Sequence, residues 1–155
     1  ETTHVNERCA AGSGKFLEMV AEAAEVPFTE ISSCAAASRQ PYSSSSSCAV
    51  FAESEIISQV NTGMKPSDIL AGVIRAIASK TASLIDGAGA KDKIVLIGGL
   101  SKVSAVRDML TGLTGRSMTT LPIDSQLVAA FGAALIAQGK IIRKRQGLSV
   151  TGEAA

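Results

Sequence analysis

The sequence predicts an α/β domain, and three observations carry that prediction. Apolar residues recur at helical spacing in several separate segments. One continuous apolar run, "KIVLIGG" at residues 93–99, ends in a glycine pair, as a buried parallel strand does before a tight strand-to-helix turn. The composition agrees: 155 residues, 46% hydrophobic, rich in alanine and without tryptophan, suffice for one domain with its own core.

The elements follow in chain order. Residues 2–8 form a short polar, strand-like start. Phe16, Val20, Ala23 and Ala24 then share one helical face, and Pro27 ends that helix. A short second helix is expected over 29–38 with Thr29 as N-cap, and "RQPYSSSSS" reads as a serine-rich loop without apolar period. A third helix is expected at 49–62, closed by Gly63. A capped start at Pro66 and Ser67 leads into a long helix bearing Ile69, Leu70, Val73, Ile74 and Ile77, stopped by Gly87 and Gly89. After the strand at 93–99, a helix is expected at 101–111, a strand at 117–121 before Pro122, and a helix at 125–138 before Gly139. The remainder, 141–155, begins basic and reads as a frayed tail.

Charge and composition exclude several classes. A formal charge of +1 supplies no field for nucleic acid or anionic membrane, and 3% aromatic residues leave no stacking surface for bases. No apolar run is long enough to span a membrane and no signal peptide is visible, so the cytoplasm is expected. The chain opens on Glu1 within a strand-like stretch, which predicts further sequence upstream.

"NERCAAGSGKF" at residues 6–16 invites a phosphate-loop reading, which fails on its spacing. A Walker A loop needs a glycine where Cys9 stands and a hydroxyl where Phe16 stands. A dinucleotide loop needs a glycine at position 17, which is Leu17. The cysteine is the distinctive residue. Cys9 and Cys48 each lie at the expected head of a helix, where unpaired N–H groups and partial positive charge lower a thiol's pKa and favour an adjacent anion. An iron–sulfur cluster held by four thiolates is such an anion, and one chain offers two, so a twofold pair would complete the set. The plainer alternative is that both cysteines are small buried hydrophobes.

Cys34 falls with Ile31 and Ala35 on one apolar stripe and is expected in the core. His4, the single histidine, excludes a histidine-based metal site or triad. Gly98 and Gly99 suit either a close backbone approach to a ligand or simply a tight turn. Glu53 and Glu55 lie near the head of the expected third helix, where acid is stabilising; a negative cluster nearby would repel them, so they are expected to face a cleft or solvent instead.

"NERCAAGSGKFLE" and "SSCAVFAESEIIS" resemble the two signature stretches of the activator ATPases of 2-hydroxyacyl-CoA dehydratases, a group shared with the ATPase subunits of benzoyl-CoA reductases. The resemblance runs from residue 5 to residue 138 and takes in "IGGLSK" and "SQLVAAFGAALIA". It implies the second lobe of an actin-like ATPase of the acetate and sugar kinase, Hsc70 and actin group, a three-layer α/β/α domain at 1–140 with extra helices carrying cluster ligands, and a tail at 141–155. It implies that Cys9 and Cys48 ligate a [4Fe–4S] cluster shared between two subunits of a homodimer or a homologous pair. Gly12 and Gly14 would then let backbone N–H groups approach the cluster's sulfurs. It further implies ATP or ADP with Mg2+, the adenosine lying near Gly98, Gly99 and Gln126. The implied partners are a dehydratase or reductase component, with reduced ferredoxin or flavodoxin as electron donor. The family's phosphate hairpins and magnesium-organising acid precede position 1, so this chain is not expected to hydrolyse ATP alone. Two other readings stay open: a sugar-kinase-like phosphotransferase with incidental cysteines, and a non-enzymatic dimerising module.

Overall fold

The computed structural model describes residues 14–43, 49–91 and 93–145. The expected first strand and both Cys9 and Cys48 lie outside the described residues.

Helix α1 (Gly14–Ala23) buries Phe16, Leu17, Val20 and Ala21 on one face. It ends before Pro27, where the Val26 N–H reaches back to the Ala21 carbonyl at 2.9 Å. A 3-10 turn at Phe28–Glu30 then runs directly into α2 (Ile31–Ala36). Thr29 is therefore inside the turn and not an N-cap. Pro27 fixes the entry conformation, and the Glu30 N–H bonds the Pro27 carbonyl at 2.8 Å, so backbone replaces the expected side-chain cap. Ile31 and Ala35 are buried and Cys34 packs half-buried beside them, as the stripe predicts.

Helix α3 (Ala49–Asn61) closes at Gly63, whose φ of 82° is the left-handed conformation glycine adopts freely. The Gly63 and Met64 N–H groups bond the carbonyls of Val60 and Gln59, the paired bonds of a glycine C-cap. The central helix α4 (Pro66–Gly87) has Pro66 as its first residue; Lys65 precedes it without a side-chain cap bond, in place of the expected capped start. Its inner face, Ile69, Leu70, Val73, Ile74, Ile77 and Ala78, packs against α1, α2 and α3.

Strands β1 (Lys93–Val95) and β2 (Ser117–Thr119) pair in parallel, Ile94 opposite Met118, and the Leu96 N–H extends the ladder to the Thr119 carbonyl at 2.8 Å. Between them a 3-10 turn at Gly99–Lys102 precedes α5 (Ser104–Thr114), which packs on α4, α2 and β2. The turn takes up the residues that the helical period had assigned to the start of this helix. Gly115, at φ 65°, ends it.

The strand expected to be buried is not: Val95 is 47% exposed and Ile97 51%. Among the described residues β2 is the only strand paired with β1, and an apolar run is buried only where neighbours cover it. The last helix, α6 (Val128–Arg145), passes through Gly139, where a stop was expected. One glycine costs a helix roughly 1 kcal/mol, too little to end one that continues into good helix formers. Phe131, Leu135, Ile136, Ile141 and Ile142 on α6 are exposed. The core is thus helical, built from Leu17, Val20, Ile31, Ile56, Ile69, Leu70, Ile74 and Leu110. No helix among the described residues is long and apolar enough to cross a membrane.

Candidate functional site

The glycine turn at the end of β1 is the best-built polar site among the described residues. Gly98 holds φ 84° and ψ 178°, a conformation open to glycine alone, and donates its N–H to the Ser125 carbonyl at 2.8 Å. Ser101, 3% exposed, closes the turn by donating its hydroxyl to the Gly98 carbonyl at 2.7 Å. These two bonds tie the turn to itself and to the loop ahead of α6.

That loop brings Gln126 beside Gly99: a β-carbon on Gly99 would stand 3.5 Å from Gln126 Nε2. Lys102 Nζ donates to the Asp124 carboxylate and to Gln126 Oε1, each at 2.9 Å, and the Gln126 N–H donates to Asp124 Oδ1 at 2.9 Å. The Lys102 bond, helped by the Gln126 N–H, holds the Asp124 carboxyl below its usual range. Gly98, Gly99 and Gln126, chosen from the sequence, therefore converge on one spot. Lys102 and Asp124 were missed, although an Asp two residues before Gln126 is the ordinary signal of a side chain bonding backbone two positions on.

The head of α1 belongs to the same neighbourhood. A β-carbon on Gly14 would lie 4.0 Å from Leu100 Cγ, so the helix that follows the Cys9 stretch begins against the glycine turn. Helix α3 begins at Ala49, directly after Cys48, and packs on α1. Lys15 pairs with Glu18 at 3.1 Å on the surface. Among the described residues, no group of three or more His, Cys, Asp or Glu residues is placed to hold a metal ion.

Residues 39–42, expected to be unpatterned loop, and Ser38, expected at the end of the second helix, are strapped to α4 instead. Asp68 Oδ1 accepts from the Ser38 hydroxyl and from the N–H groups of Arg39 and Gln40, and the Tyr42 N–H donates to the Asp68 carbonyl at 2.8 Å. Glu55 is half-buried and accepts a hydrogen bond from the Tyr42 hydroxyl, while the side chain of Glu53 lies outside the described residues. Burial first, and then that bond to a carboxylate, push the Tyr42 phenol up to about 12. A cavity of 770 Å³ opens between α2, α4 and α5, its floor formed by Ala71, Ile74 and Met109.

Comparison with known proteins gives a consistent result. The family model described as "BadF/BadG/BcrA/BcrD ATPase family" matches residues 1–137. The (R)-2-hydroxyglutaryl-CoA dehydratase activating ATPase of Acidaminococcus fermentans is 38% identical over 136 residues, covering 88% of this chain and 52% of that protein. A benzoyl-CoA reductase subunit of Thauera aromatica is 34% identical over 140 residues, 87% of this chain and 50% of its own length. Among solved structures, the activator of the 2-hydroxyisocaproyl-CoA dehydratase from Clostridium difficile with bound ADPNP superposes with a TM-score of 0.77 at 33% identity, covering 97% of this chain and 55% of that one. The chain spans about half the length of the relatives it matches.

Proposed function

The chain belongs to the BadF/BadG/BcrA/BcrD ATPase family and has the actin-like ATPase fold, and from that premise we propose that it is part of an ATP-dependent, low-potential electron-transfer protein. In this reading the whole protein activates a 2-hydroxyacyl-CoA dehydratase or drives a benzoyl-CoA-type reduction. It works in the cytoplasm as a homodimer or a homologous pair, and reduced ferredoxin or flavodoxin donates the electron.

Cys9 and Cys48 would hold a [4Fe–4S] cluster together with the same pair from a second subunit; two thiols per chain match half of the four such a cluster needs. The cluster would supply one-electron chemistry at low potential. The protein's own part is to bind nucleotide at Gly98, Gly99 and Gln126, where a glycine backbone admits close approach, with magnesium and the γ-phosphate served from sequence upstream. The observation that carries the reading is the nearness of the head of α1 to the glycine turn, where a β-carbon on Gly14 would lie 4.0 Å from Leu100 Cγ. In this reading a shift of the turn on nucleotide binding would reach the helix that follows Cys9.

Anaerobic loading with iron and sulfide tests the cluster. Roughly two irons per chain are expected, lost in Cys9→Ser and in Cys48→Ser and kept in Cys34→Ser, with one four-iron centre per pair of chains. Equal iron in all four proteins, or none in a wild type extended to the full length of its relatives, removes the proposal.

A further inference from the structure

Lys102 decides which end of the Gln126 amide the glycine turn presents. An ammonium group only donates, so the atom 2.9 Å from Lys102 Nζ is the amide oxygen, and the amide nitrogen must turn the other way. The Asp124 carboxylate locks the arrangement by accepting from both Lys102 Nζ and the Gln126 N–H. The Nε2 group has no partner among the described residues, and it sits over Gly99, where a β-carbon would reach it at 3.5 Å. The Gln126 side chain is solvent-exposed, so this donor is open to a ligand.

We propose that Gln126 is a specificity-determining hydrogen-bond donor of the nucleotide site, that Lys102 is the residue that orients it, and that the ligand places an acceptor, a ring nitrogen or a sugar oxygen, against Nε2 above Gly99. This rests on the nucleotide reading given above and adds the polarity of the contact to it. Gln126→Glu is the discriminating change. It keeps the shape and the Lys102 contact but replaces the donor with a second acceptor. A merely structural role predicts an unchanged or stronger loop, because a carboxylate pairs with Lys102 more strongly than an amide does.

The test is titration of the protein, extended to the full length of its relatives, with Mg-ADP, followed by ligand-observed NMR, with thermal melting of each unliganded variant. Gln126→Glu should bind roughly tenfold more weakly, and Lys102→Met about threefold more weakly because its amide is free to turn, on the scale of one hydrogen bond lost or loosened. Lys102→Arg, which still donates to Oε1, should bind like wild type, and none of the three should melt much below it. Wild-type binding that survives Gln126→Glu unchanged overturns the donor assignment and leaves the nucleotide site standing. Absence of Mg-ADP binding in the wild type overturns both.

Discussion

Gly72 lies directly beneath the Tyr42 backbone: a β-carbon at position 72 would stand 2.1 Å from the Tyr42 carbonyl oxygen and 2.8 Å from its carbonyl carbon. The obstacle is main chain, already held by the Tyr42 N–H bond to Asp68, so it cannot swing aside as a side-chain tip would. Gly72→Ala should therefore cost about 1–3 kcal/mol or more, the scale of overpacking in a closed interior, even though alanine is the better helix former. Urea denaturation of the two proteins measures this, and a stabilised Gly72→Ala would show that the strap at 38–42 is not seated on α4.

The Tyr42–Glu55 pair makes a prediction at high pH. Its environment favours the neutral phenol, raising the folded-state value from 10.0 to about 12. The pair's contribution to stability is therefore complete below pH 10 and is lost as pH rises from 10 toward 12, where the folded protein must also give up the proton. Thermal melts of wild type should fall through that window more steeply than those of Tyr42→Phe. Parallel pH profiles would show that burial and Glu55 together do not raise the phenol's pKa in the folded protein.

Asp68 gives the opposite slope. The Ser38 hydroxyl first, then the Gln40 N–H, favour its ionised form and hold its carboxyl below the ordinary 3.8. That stabilisation is present above the unfolded value and disappears as pH falls through the lower, folded one. Denaturant midpoints compared at neutral pH and near pH 3 should drop less for Asp68→Asn than for wild type. A drop of equal size would assign the acid sensitivity elsewhere.

The parts of the fold that were legible in the sequence are those whose signal is local. Ile69, Leu70, Val73, Ile74 and Ile77 announce α4 by their spacing alone, and Gly63 ends α3 because the left-handed conformation there suits glycine. The glycine turn was legible for the same reason, since Gly98 needs its positive φ whatever surrounds it. What failed depended on distant partners. The apolar run of β1 predicted burial, but exposure of Val95 and Ile97 is decided by what lies against the strand. The strap at 38–42 looked featureless because two of its three bonds to the Asp68 carboxylate come from backbone N–H groups, which any residue supplies. Lys102 and Asp124 meet across 22 residues, and no local period records that meeting. The cysteine stretches stand apart from this comparison, because Cys9 and Cys48 lie outside the described residues.

Two truncations separate the helical core from the surface of α6. Leu17 is fully buried among α1's neighbours, so Leu17→Ala removes packed methyl groups and leaves a cavity, at a cost of about 2–5 kcal/mol. Phe131 is a larger side chain but 52% exposed, and its truncation should change stability by no more than about 0.5 kcal/mol. The comparison is sensitive because size and burial point in opposite directions: a ranking by side-chain volume alone makes Phe131→Ala the worse change. Denaturant unfolding of both variants decides it. If Phe131→Ala costs as much as Leu17→Ala, the α6 surface is covered in solution by something other than the described residues.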